Sequence, residues 1–301
     1  MLIGHHVNRD ANHLSITNYI KKAILYCNAY NIKMNVAAIF ISNPRGLNII
    51  LKELDEKKEL CDFITKTNIN IIAHSSYVAY LWNKTNPEKY MDFVEREYII
   101  CKENLISGLV IHLPKDNILK KKHIKDTIKS LITKIHKINE GDDITRPVIY
   151  LETPAIVPMW ASYDTPKKLS ILFNIINKID QNHPFGLCID TAHLWTSGND
   201  ISTYDGAKRW FTELMSSPYI PYNKIIIHLN DSANELGHGP DKHESLTHGH
   251  IWKDYKNRAA LKNSGLYFII QFANLHNIPL ILERNNNEKL AEDYTILSKL
   301  I

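Results

Sequence analysis

Cysteine is scarce in this chain of 301 residues: Cys27, Cys61, Cys101 and Cys188 stand far apart, with no C-x-x-C pair. That argues against a disulfide framework or a thiolate zinc site and points to a reducing intracellular compartment, cytoplasm or nucleus. The start, MLIGHHVN, lacks the basic leader, apolar core and cleavage site of a signal peptide. Apolar runs are far too short to span a bilayer, so no membrane partner is expected. Glycine numbers only 11, and no glycine-rich turn follows the first strand-like run. A dinucleotide-binding open sheet, and with it a nucleotide cofactor, is therefore disfavoured. Low-complexity linkers are also missing, so residues 1–301 are expected to form one domain. The formal net charge of +4 permits an anionic partner without requiring one.

What the chain does have is an ordinary core composition, 44% hydrophobic and 23% charged, arranged in alternation. Short β-rich runs (LIGHHV, MNVAAIFI, INIIAHSS, GLVIHLP, PVIYLET, FGLCIDTA, KIIIHLND and IPLILERN) alternate with longer helical patterns such as Asn86–Asn104 and Pro166–Asp180. The runs are almost wholly apolar, as strands covered on both faces are. Eight strand-then-helix units predict an α/β fold, a closed (β/α)8 TIM barrel, with an open doubly wound sheet as the lesser alternative. The longest irregular stretch, Asp231–Asn257, is too rich in His, Gly and Asp to be a plain connector.

A barrel of this kind places its active site at the C-terminal ends of the strands. Six of the runs end there in a metal-ligating residue type: His74, His112, Glu152, Asp190, His228 and Glu283. Three more candidates, His193, Asp241 and His243, follow in adjacent loops. One such histidine would be an ordinary core residue. Six termini without a Lys or Arg among them would crowd repelling carboxylates into one mouth, and divalent cations relieve that penalty. His with Asp and Glu is the donor set of hydrolytic zinc sites. Asp241 and His243, two apart, can face one ion; Asp190 and His193, three apart, diverge in an extended chain and can serve different ions. Nine ligands exceed the needs of one metal, so two or three ions are expected, the apparatus of phosphoester hydrolysis.

GLCIDTAH, HLNDSANELGHGPDKH and HSSY resemble signature stretches of the endonuclease IV family of abasic-site DNA repair endonucleases. The likeness runs from GHHV to LERN, and VIYLETP, SGLY and LERN are most similar to the branch from large cytoplasmic DNA viruses. The resemblance implies three zinc ions, with manganese admissible at some sites. His74 and His112 would bind the first, with Glu152 bridging to a second that Asp190, His228 and Glu283 complete. His193, Asp241 and His243 would hold the third. It implies hydrolysis of the phosphodiester 5′ to an abasic site, leaving a 3′-hydroxyl and a 5′-deoxyribose phosphate, with 3′-repair diesterase and 3′–5′ exonuclease activities as companions. Glu283 and Glu152 would be the catalytic carboxylates, Glu283 orienting the nucleophile as well as binding metal. A viral member would act in the host cytoplasm and enter the virion, as a monomer.

The partner implied is duplex DNA containing abasic sites, kinked and with the damaged nucleotide turned out. Arg45 of NPRG and Tyr77 of HSSY match family positions that wedge the duplex. Leu47, Tyr80, His238 and His248 depart from common family residues and bear on DNA contacts and the third-zinc loop; His248 and His250 are expected to be surface histidines. The basic stretches Lys120–His123 and Pro166–Lys168 are expected on solvated outer helices. Two other functions are alternatives for these residues: a metal-dependent barrel isomerase or epimerase of sugars, and a zinc-stabilised DNA-binding module without catalysis.

Overall fold

The computed structural model describes residues 1–9, 14–114, 121–141, 146–155, 163–255, 257–284 and 286–301. Eight parallel strands close on themselves: β1 (Ile3–Val7), β2 (Val36–Phe40), β3 (Asn70–His74), β4 (Gly108–His112), β5 (Val148–Glu152), β6 (Phe185–Asp190), β7 (Ile225–His228) and β10 (Leu280–Leu282). Between β7 and β10 lies a small antiparallel ribbon, β8 (Asp231–Ser232) with β9 (His243–Glu244). Around the barrel run α1 (Ile16–Asn28), α2 (Leu54–Thr67), α3 (Pro87–Glu103), α4 (Lys121–Ile138), α5 (Pro166–Ile179), α7 (Tyr204–Met215), α9 (Gly265–Leu275) and α10 (Asn287–Leu300); α6 (Thr191–Thr196) and α8 (Arg258–Leu261) are short additions. The expected TIM barrel is thus formed. Among the described residues, no helix is long and apolar enough to cross a membrane.

The helices start and stop where local chemistry directs. Pro166 enters α5 at its first turn, and the Thr165 side chain accepts the Lys168 N–H. Asn86 and Asn104, the ends expected for α3, are its flanking residues. The Pro166–Lys168 stretch lies on α5, with Lys167 exposed and Lys168 Nζ paired to Asp164 at 2.6 Å. Lys120 lies outside the described residues; on α4, Lys122 is exposed and His123 Nε2 sits 3.1 Å from the Trp82 carbonyl.

Side chains alternate across each strand, so the barrel has an outer core against the helices and an inner one. The inner core holds Val36, Ala38, Ile72, Val110, Tyr150, Cys188, Ile226 and Ile281. Tyr150 fills it with the one ring of that set, and its neighbours make room: a Cβ at Gly108 would meet the ring at 2.4 Å, and one at Gly186 at 2.9 Å. Two residues beyond Ile72, Val110, Tyr150, Cys188, Ile226 and Ile281 stand His74, His112, Glu152, Asp190, His228 and Glu283. The period of two therefore aims all six toward the same mouth. Strand register levels them, pairing His112 with Glu152 and Asp190 with His228.

The 231–257 stretch is organised by a buried carboxylate. Asp231 accepts the backbone N–H groups of Ser232 at 2.8 Å, Thr247 at 3.0 Å and Ile251 at 2.9 Å. Gly249 permits the closure, because a Cβ there would fall 2.4 Å from the Ser232 carbonyl oxygen.

Candidate metal centre

Glu152, 1% exposed, lies at the middle of the mouth. Its Oε2 faces His112 Nε2 at 2.8 Å and His74 Nε2 at 3.3 Å, and its Oε1 lies 2.9 Å from His228 Nδ1. His228 Nδ1 is also 3.3 Å from Glu283 Oε2. At the loop side, Asp241 puts one oxygen 3.1 Å from His193 Nε2 and the other 3.0 Å from His243 Nε2. Asp241 and His243, two apart, thus meet at one point.

Asp190 and His193 differ from the sequence expectation. Residues three apart diverge only in an extended chain, and here α6 begins at Thr191. Asp190 caps it, Oδ1 accepting the His193 backbone N–H at 2.9 Å. The cap folds both side chains inward, so Asp190 joins two constellations. Ligand atoms lying within 4.8 Å of one another form the groups His74–His112–Glu152, Glu152–Asp190–His228–Glu283 and Asp190–His193–His243.

The donors are prepared for a cation. His74 Nδ1 donates to the Ser75 carbonyl at 2.7 Å and His193 Nδ1 to that of Thr153 at 2.7 Å, which turns each Nε2 inward as a lone pair. Glu152 Oε2 and the Nε2 atoms of His193, His228 and His243 are buried and lack a partner of hydrogen-bond geometry. Buried groups left in that state are costly unless something else satisfies them. A divalent cation fits this set of imidazole nitrogens and carboxylate oxygens.

Charge in the cluster follows the same logic. Burial pushes the Glu152 and Glu283 carboxyls up, but neighbouring histidines outweigh it, His112 and His228 for Glu152, His228 and His243 for Glu283, and hold both well below the usual range. Asp190 goes the other way, raised by its burial. Burial opposes protonation of His193 and His228, yet adjacent acidic groups lift both well above the usual imidazole value. The protons take the place a cation would fill.

His6 is a further inward-facing residue at the mouth that no strand-end position signals. It follows the inward Gly4 by two residues on β1, is 5% exposed, and places Nδ1 3.9 Å from Glu283 Oε1. Burial lowers its pKa to about 3, so it is neutral, with Nε2 unpartnered. The run LIGHHV carried the signal, but its last residue is Val7. Asn230, which bonds the Asp190 and Glu283 carboxylates, and Arg284, which bonds Asn230, offered no comparable sign.

Arg45 and Tyr77 lie on the loops after β2 and β3, tied together by Tyr77 N–H to the Pro44 carbonyl at 2.9 Å. Both line a cavity of about 620 Å³ that Asp241, His243 and Glu283 also wall. Tyr77 is 53% exposed, and Arg45 is exposed as well. Tyr80 lines a smaller cavity of about 260 Å³ beside His74 and His112. His238 and His248 are exposed, the latter 3.6 Å from Glu292, and His250 Nδ1 lies 3.3 Å from Lys253 Nζ. None of the three falls in a ligand group among the described residues. Leu47 is half-buried.

A closed parallel barrel with His, Asp and Glu crowded at its strand ends defines the class: a TIM barrel with a candidate multi-ligand metal centre. A family profile described as xylose isomerase-like TIM barrel matches residues 28–297, and the chain belongs to that family and, within it, to the endonuclease IV group. A relative from African swine fever virus named "Probable AP endonuclease" is 36% identical over 293 residues, covering 95% of this chain and 93% of its own. "Probable endonuclease 4" of Mycoplasmopsis synoviae is 29% identical, covering 84% of this chain and 83% of its own. The crystal structure of AsfvAP:AG superposes with a TM-score of 0.87 at 33% identity, covering 99% of this chain and 98% of that one. Endonuclease IV from Thermus thermophilus gives 0.75 at 18% identity, covering 100% of this chain and 98% of its own, a likeness of fold.

Proposed function

We propose that the chain is an AP endonuclease that hydrolyses the phosphodiester 5′ to an abasic site in duplex DNA, leaving a 3′-hydroxyl and a 5′-deoxyribose phosphate. Residues 1–301 act as one domain and one monomer. The observation that carries the reading is the convergence at one barrel mouth of three groups of His, Asp and Glu ligand atoms, His74–His112–Glu152, Glu152–Asp190–His228–Glu283 and Asp190–His193–His243, each group's atoms within 4.8 Å of one another. The relatives named as AP endonucleases support it.

In this reading His74, His112 and Glu152 hold a first zinc, Glu152, Asp190, His228 and Glu283 a second, and His193, Asp241 and His243 a third; manganese can substitute at some sites. Zinc bound there supplies Lewis acidity, neutralising phosphate charge and making hydroxide available near neutral pH. The chain supplies the rest. Glu283, on the cavity wall, orients the attacking water, and Glu152 holds two constellations at fixed separation. Tyr77 and Arg45 stand over the centre, where they fill the gap left by the missing base and grip the bent backbone. Phosphate contacts at this rim make affinity fall with salt. The free thiols agree with work inside a cell, and for a viral member in the host cytoplasm and virion.

The decisive experiment incubates the protein with an abasic-site duplex and an undamaged control, with and without chelator. Incision only 5′ to the lesion, lost on chelation and restored by zinc, is expected. Binding without a nick after zinc loading would leave a DNA-binding module; turnover of a sugar instead would leave an isomerase. The same gel, with 3′-blocked and 3′-recessed ends, tests the 3′-diesterase and 3′–5′ exonuclease activities.

A further inference from the structure

Beyond the ligand candidates, three buried residues, linked by hydrogen bonds and one ion pair, form a chain that ends on two of their carboxylates. Asn230 is 0% exposed and lies just past β7, whose neighbours in the barrel are β6 and β10. Its Nδ2 donates to Asp190 Oδ2 at 2.6 Å, at the end of β6, and to Glu283 Oε2 at 3.0 Å, just past β10. One amide nitrogen therefore spans the two carboxylates. Its two hydrogens occupy one oxygen of each and fix how the carboxylates are turned.

The amide cannot flip. Its Oδ1 accepts from Arg284 Nη1 at 2.7 Å and from the Glu283 backbone N–H at 3.2 Å. Reversal would set the NH2 group against two donors and the carbonyl oxygen against two anions. Arg284 is itself locked. It is 6% exposed, and its Nε lies 2.5 Å from Asp293 Oδ2, in an ion pair whose partners are both buried. The other Asp293 oxygen accepts the Leu246 N–H at 2.6 Å, three residues after His243. The series Leu246–Asp293–Arg284–Asn230 thus connects the segment carrying His243 to Asp190 and Glu283.

We infer that Asn230, clamped by Arg284 and Asp293, is a positioning residue that sets the Asp190 and Glu283 carboxylates for metal binding. It acts through those two carboxylates. The role rests on the metal reading proposed above. An amide suits the task because it is neutral: it restrains both carboxylates without competing as a cation for the charge they offer. A lysine there would replace the metal, and an aspartate would repel both partners.

The test measures zinc binding directly, by competition with a chromophoric chelator, beside kcat and KM on an abasic duplex. Asn230→Ala frees both carboxylates; zinc affinity is expected to fall roughly ten- to a hundred-fold, the usual effect of losing a partner that orients metal ligands. With zinc saturating, kcat should still fall while KM stays near wild type, a split that loss of stability alone does not produce. Wild-type zinc affinity and kcat in Asn230→Ala would overturn the proposal. Arg284→Lys is the second variant, because it keeps the buried charge but cannot serve Asn230 and Asp293 together. If Asn230→Ala does not fold, Arg284→Lys decides: weakened zinc binding with an unchanged metal-free melting temperature supports the clamp, and unaltered zinc binding overturns it. Zinc bound without incision by the wild type would sink the endonuclease reading while leaving this one standing. A wild-type chain that binds no zinc would sink both.

Discussion

The ring of Tyr77 stacks on the imidazole of His112, with centroids 5.8 Å apart and planes 18° from parallel. It also lies 5.4 Å from the His74 ring, so an exposed aromatic covers two ligand candidates. Stacking is where Tyr77 would act on DNA. Tyr77→Ala is expected to weaken binding of an abasic duplex roughly 5- to 100-fold, the worth of one lost stacking platform. Tyr77→Phe should retain most of the affinity, because the face of the ring is what stacks. Arg45→Ala should narrow discrimination between abasic and intact duplex. Zinc content, measured by atomic emission, should be unchanged in all three; lost zinc would assign the residue concerned to the metal centre instead.

Glu283 tests the chemistry apart from recognition. Its carboxylate lies 3.3 Å from His228 and 3.7 Å from His243, on the wall of the larger cavity. Glu283→Gln preserves shape but removes the negative charge. Incision should drop by more than about a hundred-fold, beyond the cost of losing a partner outside the ligand set. Abasic duplex binding, followed by fluorescence anisotropy, should persist. Full activity in this variant would remove Glu283 from the mechanism.

Glu97 on α3 carries a pH signature. Fully buried, it accepts hydrogen bonds from Ser42 Oγ and Ser75 Oγ, both at 2.5 Å, and so joins the strand leading to Arg45 with the one leading to Tyr77. Burial raises its pKa from the ordinary 4.5 to about 7, with the hydroxyls opposing the rise only in part. Below 4.5 both folded and unfolded chains hold the proton. Between there and about 7 the unfolded chain releases it first, so this residue's contribution to stability is lost as pH rises. The full loss is about 3 kcal/mol. In metal-free protein, Glu97→Gln should therefore gain stability relative to wild type as pH goes from 4.5 to 7, and level off above. A pH-independent difference in urea midpoints would show that Glu97 titrates normally.

The barrel and the placing of six His, Asp and Glu side chains at its mouth were legible in the sequence because both rest on a period of two. Each apolar run had to bury both faces, and the last inward position after Ile72, Val110, Tyr150, Cys188, Ile226 and Ile281 had to reach the mouth. His6 obeys the same rule but was hidden, since its run ends in an apolar residue. The bend at Asp190 was not legible: an N-cap and a strand end are the same residue there, and only the start of α6 decides which way His193 turns. Asn230 and Arg284 escaped for another reason. An amide and a guanidinium carry no metal-ligand signature, and their role depends on contacts made across the barrel from β6 to α10.

Removing one ligand should separate the third ion from the other two. Asp241 sits exposed on the loop between β8 and β9 and meets His193 and His243. Glu152, by contrast, touches His74, His112, His193 and His228. Asp241→Asn should therefore cost about one zinc per chain, whereas Glu152→Gln should cost more than one. Each tightly bound ion stabilises the folded state by mass action, about 4 kcal/mol at a thousand times its Kd. Wild type should accordingly melt lower after chelation and recover with added zinc, and Asp241→Asn should recover only in part. If Asp241→Asn instead empties the whole centre, the loop ligand is not confined to one ion, and Asp190, which both constellations share, is where the coupling would run.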